Sequence, residues 1–518
     1  MKRKVCLLLA LLTVFSCFLG CMDLLRQQVK LALNPYIADY TGKMTSVYSE
    51  SEEEGLKLYQ KLFDPSNKIT IQIHIPKEEI AKLQLDYYAF RAQDKNMKSE
   101  IYRKADLTVV IGEDRYEIEE VGIRQKGNLT YYKPFAPDTG IPNLCSYKIS
   151  FDETFDDPDV YGADVKVWTS DAERKARKSR TFASLEKLDI KWNSCYDNTF
   201  IREIYATQFF TQSGLLVQKI SLAQTSVNGD NYGVYDIYEP VDKRFLEKRL
   251  PEEALGGDLY KLLWSEYATN GVHTRNRIGA TYQLNNSYGI QDNQRAIQYN
   301  FNIKTNKKST DHADLIRFLR VVNQDSITKE ELESVLDPEE FARFMAALYF
   351  CGDPDDIRQN YNNQYLYFRK DNGKAVFIVY DNDQTLGICY NAQDDCSVFD
   401  PYSNESLGRK GPQQNPLIRK TITHDALPEL AYVRDLYSDA LKSLAESKLL
   451  ADDKTFLAMY ENAKALYEDD AEPYMTFGNQ KHPFFFSLED RSENKDVIHM
   501  SFARFRARIL ETYRAATP

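Results

Sequence analysis

Histidine and tryptophan are scarce in this chain, six and three among 518 residues. The histidines are scattered, with no HExxH and no HxH, which argues against a histidine-built metal site. Internal repeats and low-complexity linkers are missing. Cysteine is present but forms no framework. Beyond the first 21 residues five remain, Cys145, Cys195, Cys351, Cys389 and Cys396. An odd number at irregular spacing is neither a zinc pattern nor a disulfide scaffold; at most Cys389 and Cys396 could pair across a loop. Net positive charge is lacking as well: 66 Lys and Arg face 77 Asp and Glu, a formal balance of −11. So acidic a body is unsuited to non-specific nucleic-acid binding, which needs cations facing phosphate.

The length suffices for a substantial core in more than one small domain. An apolar fraction of 43% with 28% charged residues is ordinary for a globular protein, and Tyr (35) and Phe (27) supply its aromatics. The first twenty residues stand apart. Lys2-Arg-Lys4 is a basic n-region, and Val5–Leu19 is an apolar stretch too short to span a bilayer comfortably. It ends at Phe18-Leu-Gly-Cys21, which resembles a bacterial lipobox with Cys21 as the lipidated residue. Val14-Phe-Ser-Cys17 is a second such box, and a plain signal peptide or an uncleaved anchor is the alternative. The expectation is an exported lipoprotein anchored at the bacterial cell envelope. Removal of residues 1–20 takes away Lys2, Arg3 and Lys4, moving the charge from −11 to −14.

Residues 22–66 read as helical and acidic around Glu52-Glu-Glu54, a stalk or N-terminal cap. Ile69–Ile75 alternates as a strand and stops at Pro76, with a helix expected over Lys77–Leu85. Ala105–Val110, Tyr116–Arg124 and Ser146–Phe151 read as further strands, and the basic run 171–180 as a solvated loop. Phe200–Gly214 has helical spacing and a Gly stop. Ile220–Val227 and Tyr232–Tyr238 form a hairpin about Asn228-Gly-Asp-Asn231. From Asp311 to Phe350 the pattern is helical, then a hairpin-like pair at Tyr365–Arg369 and Ala375–Val379, then amphipathic helices to Tyr513. Strands first and helices later give an α+β fold.

Four constellations could carry chemistry. Tyr380-Asp381-Asn-Asp383, with Gly387 after it, places two carboxylates where the apolar strand Val376–Val379 runs out. That is costly unless a cation meets them, and oxygen ligands suit magnesium or calcium; the same turn could equally be two aspartates capping backbone amides. Upstream, Gly352-Asp-Pro-Asp355-Asp356-Ile-Arg-Gln-Asn360-Tyr-Asn-Asn363 supplies an acid and asparagines ahead of the hairpin, the order used in kinases. Lys126-Gly127-Asn128 is a glycine turn ahead of the strand lysine Lys148, suited to phosphate or to an ordinary surface turn. Arg202-Glu203 opens a helix, where Glu203 could pair with Lys148 or belong to an exposed charge pair.

Taken in order, Lys126-Gly-Asn, Ser146-Tyr-Lys148-Ile-Ser-Phe, Asp197-Asn-Thr-Phe-Ile-Arg202-Glu203, Val227-Asn-Gly-Asp-Asn-Tyr-Gly-Val-Tyr-Asp-Ile-Tyr-Glu239-Pro-Val-Asp242, Leu259-Tyr-Lys261, Asn363-Gln-Tyr-Leu-Tyr and Tyr380-Asp-Asn-Asp make the chain resemble the spore coat protein H (CotH) kinase family over roughly residues 69–515. The resemblance implies an atypical protein-kinase-like two-lobed fold. In it a leader of 1–20 and a stalk or cap of 21–67 precede a mixed, β-rich N-lobe (68–240) and a mainly helical C-lobe (241–518). It implies ATP and Mg2+ (or Mn2+ or Ca2+) as cofactors and Ser/Thr of surface or secreted proteins as acceptors, the alternative being a non-catalytic scaffold or binding lipoprotein of the same fold on the cell envelope. Lys126, Gly127 and Asn128 would then form the phosphate-facing turn, Lys148 the phosphate lysine, Glu203 its helix partner, and Glu239 would lie near the hinge and adenine. Asp355 would be the catalytic base, with Asp353 and Asp356 competing. Asn360 or Asn363 would be a metal ligand, Asp381 the principal metal aspartate and Asp383 its neighbour. Two family residues differ: Lys126 stands for an Arg, losing its fork geometry, and Tyr380 for a Trp.

Overall fold

A computed structural model describes residues 36–45, 47–93, 97–127, 130–195, 197–262, 265–269, 272–278, 301–359, 363–389, 395–404, 415–480, 484–493 and 497–516. The leader with Cys17, the adjoining Cys21, and the site candidates Asn128 and Asn360 lie outside these residues. The chain divides into two compact units. The first takes residues 1–196, 221–239 and 464–485; the second takes 197–220, 240–463 and 486–518.

The first unit is built on β1 (Ile69–His74), β2 (Arg103–Ile111), β3 (Asp114–Lys126), β4 (Ser146–Ser150), β5 (Lys187–Trp192), β6 (Ile220–Val227) and β7 (Asp230–Tyr238). They close into a barrel in the order β1-β2-β3-β4-β5-β7-β6, with β1 lying parallel to β6. Closure leaves no edge strand to pair with another chain. Alternation explains the lining: Ile69, Ile71 and Ile73 are at most 1% exposed, while the residues between them face outward. Ile123, Ile149 and Ile190 continue the same interior across β3, β4 and β5. At the β6–β7 turn Asn228 adopts φ +52°, and its side chain accepts from Ile75 N–H (2.8 Å) and donates to Ile75 C=O (2.8 Å). The turn is thereby tied to the end of β1.

Two expectations for this unit change. Among the described residues the stalk is helical only in α1 (Glu52–Leu62), opened by a Ser51–Glu54 capping box. Residues ahead of it lie along the barrel: Tyr40 Oη donates to Asp106 (2.8 Å), and Glu50 accepts from Thr181 Oγ1 and the amides of Ala183 and Ser184. The barrel supplies polar partners that a free stalk would lack. After α2 (Lys77–Gln93), the basic run is a helix, α3 (Asp171–Lys178), and not a loop. Ser170 caps it, while Arg177 and Arg180 are buried. Arg180 Nη1 donates to Glu119 Oε1 (2.6 Å) and Glu119 C=O (2.8 Å), so these cations serve β3 and not solvent.

The second unit opens with α4 (Arg202–Gln212) and carries a four-stranded sheet. Its strands are β8 (Leu259–Leu262), β11 (Phe301–Ile303), β12 (Gln364–Phe368) and β13 (Ala375–Val379), in the order β11-β8-β12-β13, with β9 (Ser265–Thr269) and β10 (Val272–Ile278) a separate pair. Helices α5 (Ala313–Asn323), α6 (Lys329–Val335) and α7 (Pro338–Cys351) lie in sequence between β11 and β12. Every residue of β13 is buried, and Phe377 meets the rings of Phe341 and Phe344 from α7 at 5.1 and 5.7 Å. Gly352 ends α7 in the left-handed region (φ +64°), where a Cβ would come within 2.6 Å of the Phe505 ring; only glycine turns the chain here without strain. Cys389 and Cys396 are both buried and no disulfide joins them, so the cross-loop pairing that the sequence allowed is not made. Among the described residues no helix is long and apolar enough to cross a membrane.

Candidate active site

In the barrel unit, Lys148 of β4 stands opposite Asp189 of β5 in the ladder. Its Nζ lies 3.1 Å from Asp189 Oδ1, and Lys126 Nζ, from the end of β3, lies 2.9 Å from Oδ2. One carboxylate therefore joins two ammonium groups. Burial alone would raise the Asp189 carboxyl, but Lys126 and Lys148 outweigh it and hold the group well below the usual carboxylate range. Gly127 follows at φ +120°, and a Cβ there would stand 2.6 Å from Thr130 Oγ1, so the turn after Lys126 requires glycine. Glu239, the last residue of the 221–239 segment, is fully enclosed and accepts from Tyr59 Oη of α1 at 2.9 Å.

Within the barrel unit the carboxylate paired with Lys148 is Asp189, a residue that sequence reasoning did not name. That residue was overlooked because β5 was not recognised as a strand. Its alternating Leu188-Asp-Ile-Lys-Trp192 was the signal available.

In the second unit the carboxylate turn is built on a fixed frame. Gln364 of β12 pairs with Val379 of β13, and just beyond this pair Tyr380 N–H donates to Asn363 C=O at 3.1 Å. Asn363 (φ +59°) and Asp381 (φ +57°) both take the left-handed conformation at this open end of the hairpin. Such backbone is unusual away from glycine and costs about 1–2 kcal/mol per residue, so the surroundings must enforce it. They do so through α4. Glu203 Oε1 accepts from Asn382 N–H at 3.0 Å. Arg202, only 1% exposed, donates from Nη1 to Leu386 C=O (2.5 Å) and Met500 C=O (2.7 Å) and from Nε to Asp197 (3.1 Å). The Arg202-Glu203 pair is thus a buried brace for residues 382–386 and not an exposed pair on a helix surface.

The three competing aspartates separate clearly. Asp356 is buried and ion-paired with Arg358 at 2.6 Å. Asp353 is fully buried; Oδ1 accepts from Asp355 N–H at 2.6 Å, and Oδ2 has no hydrogen-bond partner among the described residues. Burial first, then the charges of Asp355, Asp356 and Asp383, push its carboxyl well above the usual range. Asp355 alone of the three is partly exposed. Asn363 Nδ2 donates to its Oδ2 and to its carbonyl, each at 3.1 Å. The structure therefore brings Asp355, Asn363 and the turn of Asp381 and Asp383 into one polar corner.

The donors in that corner are hard oxygens, which suit a magnesium ion. Among the described residues no group of three or more His, Cys, Asp or Glu side chains could hold a metal ion by itself. Magnesium does not demand one, since it commonly takes one or two carboxylates and completes its shell with water and substrate phosphate. Asp381, Asp383 and Asn363 are donors of the type that pattern uses, two carboxylates and an amide oxygen.

Comparison with known proteins gives the family. The profile of the family described as CotH kinase protein matches residues 146–510, well over half of the chain. The inner spore coat protein H of Bacillus subtilis (strain 168) is 25% identical over 202 residues, which are 38% of this chain and 50% of that protein. The chain spans about half the length of the curated relative it matches. The matched stretch includes Lys148, Asp189, Glu203, Asp355, Asn363, Asp381 and Asp383, whereas Lys126, Gly127 and Asn128 precede it. With motif order, local chemistry and profile in agreement, the chain belongs to the CotH kinase family.

Proposed function

We propose that the protein is an ATP-dependent kinase that moves the γ-phosphoryl group to Ser or Thr hydroxyls of surface or secreted proteins. In this reading the barrel unit serves as the nucleotide lobe and the helical unit as the catalytic lobe of a kinase-like fold. The reading also takes the chain to be exported and held at the cell envelope by lipid on Cys21 or Cys17. The observation that carries the kinase assignment is the Asp381 turn, a left-handed aspartate at the end of a buried strand beside Asp355 and Asn363, with Glu203 fixing the next amide.

Lys148 and Lys126 engage phosphate oxygens, and Asp381, Asp383 and Asn363 would hold a divalent ion, which would supply neutralisation of phosphate charge. Asn360 remains a second amide candidate, and Asn128 belongs with the phosphate-facing turn. Asp355 accepts the proton of the attacking hydroxyl; its exposure and its anchoring by Asn363 support it over Asp353 and Asp356. Asp381→Ala provides the test. Saturating Mg-ATP at about 100 times Kd stabilises a binding protein by about 2.7 kcal/mol. The variant is expected to lose that stabilisation and all transfer to an acceptor, whereas Asp355→Asn keeps the stabilisation and loses transfer. Normal transfer by Asp381→Ala would refute the assignment.

A further inference from the structure

We propose that Asp189 positions Lys126 and Lys148 as a two-pronged cation fork that selects polyphosphate over single phosphate groups. The inference deepens the kinase reading and rests on it only for the ligand being a nucleotide.

On the outer face of β3, β4 and β5, Arg124, Lys148 and Asp189 occupy one row of the ladder, with Arg124 opposite Lys148 and Lys148 opposite Asp189. Lys126 lies two residues beyond Arg124 on the same face. Arg124 has a carboxylate of its own, Glu100 at 2.9 Å. Lys191, further along β5, stands opposite Asp236 in register. Lys126 and Lys148 must share Asp189, the one carboxylate paired with either among the described residues. Two cations and one anion leave one positive charge over. The three side chains are 15%, 21% and 8% exposed, so water screens this surplus only in part. A partly buried surplus charge is unfavourable until an anion completes it.

Geometry then narrows the anion. Asp189 presents one oxygen to each lysine, holding two like charges side by side that would otherwise repel. Each lysine acts as a point charge, so a fork of two meets neighbouring phosphate groups better than one isolated group. Lys126 also lies 5.4 Å from the Tyr238 ring centroid, which limits where its stem can swing. Asp189 is thus a positioning residue acting through both lysines, and none of the three is needed to close the barrel core, which is lined by the opposite, apolar face of the same strands.

The test titrates the full chain with tripolyphosphate, ADP, AMP and orthophosphate in the absence of divalent metal, reading affinity by calorimetry. Wild type is expected to bind tripolyphosphate and ADP on the order of tenfold or more tighter than AMP and orthophosphate. Lys126→Gln and Lys148→Gln are each expected to lose about tenfold in tripolyphosphate affinity. Asp189→Asn should still attract anions but lose most of the preference, while Asp189→Glu recovers part of it. A merely structural ion pair would lower the melting temperature and leave that preference ratio unchanged. If Asp189→Asn does not fold, the two lysine variants read the same ratio. Equal binding of tripolyphosphate and orthophosphate by wild type, or an intact preference in the lysine variants, overturns the fork. Polyphosphate selectivity that needs both lysines, in a chain that transfers no phosphate to any acceptor, sustains the fork and overturns the kinase reading.

Discussion

Replacing Arg202 by Met is a severe perturbation for a residue that touches no reacting group. Its guanidinium is enclosed and donates to the Asp197 carboxylate and to the carbonyls of Leu386 and Met500, which sit in residues 0% and 3% exposed. Methionine fills most of the volume and supplies none of the donors. Removing one partner of a buried ion pair costs about 3–5 kcal/mol. Two orphaned carbonyls add about 1–3 kcal/mol each before relaxation. Against this, Asp197 keeps the amides of Thr199 and Arg202 and the Thr199 hydroxyl, at 2.7–2.9 Å. The net expectation is a loss of about 3–5 kcal/mol, a large share of the roughly 5–15 kcal/mol that holds a typical domain.

With two units, global two-state unfolding is not assumed. The assay is therefore native-state hydrogen exchange, followed at the Leu386 amide, which is bonded to Cys351 C=O at 2.8 Å. Exchange there is expected to quicken by about two to four orders of magnitude, since 1.4 kcal/mol is tenfold. The double variant Arg202→Met with Asp197→Asn should cost less than the sum of the two single changes, because the pair is lost only once. Mg-ATP stabilisation should fall with it, as the turn of Asp381 loses its brace. A cost below about 1 kcal/mol in Arg202→Met, or strict additivity in the double variant, would refute the brace.

Other outcomes follow from single groups. Glu340, near the start of α7, has its carboxyl raised from 4.5 to about 7 by burial and by Asp337, against the pull of Phe377 N–H and two arginines. Its folded-state value lies above the unfolded one, so the folded protein retains a proton that the unfolded chain gives up. Stability is accordingly expected to fall as pH rises from about 4.5 to about 7. Glu340→Gln should flatten that segment of a melting-temperature profile, and an unchanged slope would discount the group. The lipid anchor is tested by palmitate labelling in a bacterial host: the double variant Cys17→Ser with Cys21→Ser should abolish incorporation, and label surviving in it would exclude lipidation at either box.

Much of this protein was legible one segment at a time. The alternation of Ile69–Ile75, the Asn228 hairpin and the apolar strand running into Asp381-Asn-Asp383 are local patterns, and each folds as read because side-chain period and turn chemistry act over a few residues. The same locality explains what stayed hidden. Arg177 and Arg180 look solvated in sequence because their partners, Glu119 and Glu120, are some 60 residues away. Asp189 gave no sign of bridging two lysines until barrel closure set β5 beside β4.

The family and the residue types of the candidate site were thus determined by sequence alone, because they rest on motif order and on the chemistry of lysines and carboxylates. Only the tertiary structure decided which acid holds Lys148, which of Asp353, Asp355 and Asp356 stays accessible, and what braces the Asp381 turn. Those choices depend on burial and on partners distant in sequence. Desolvation and pairing act through space, and no local pattern records them.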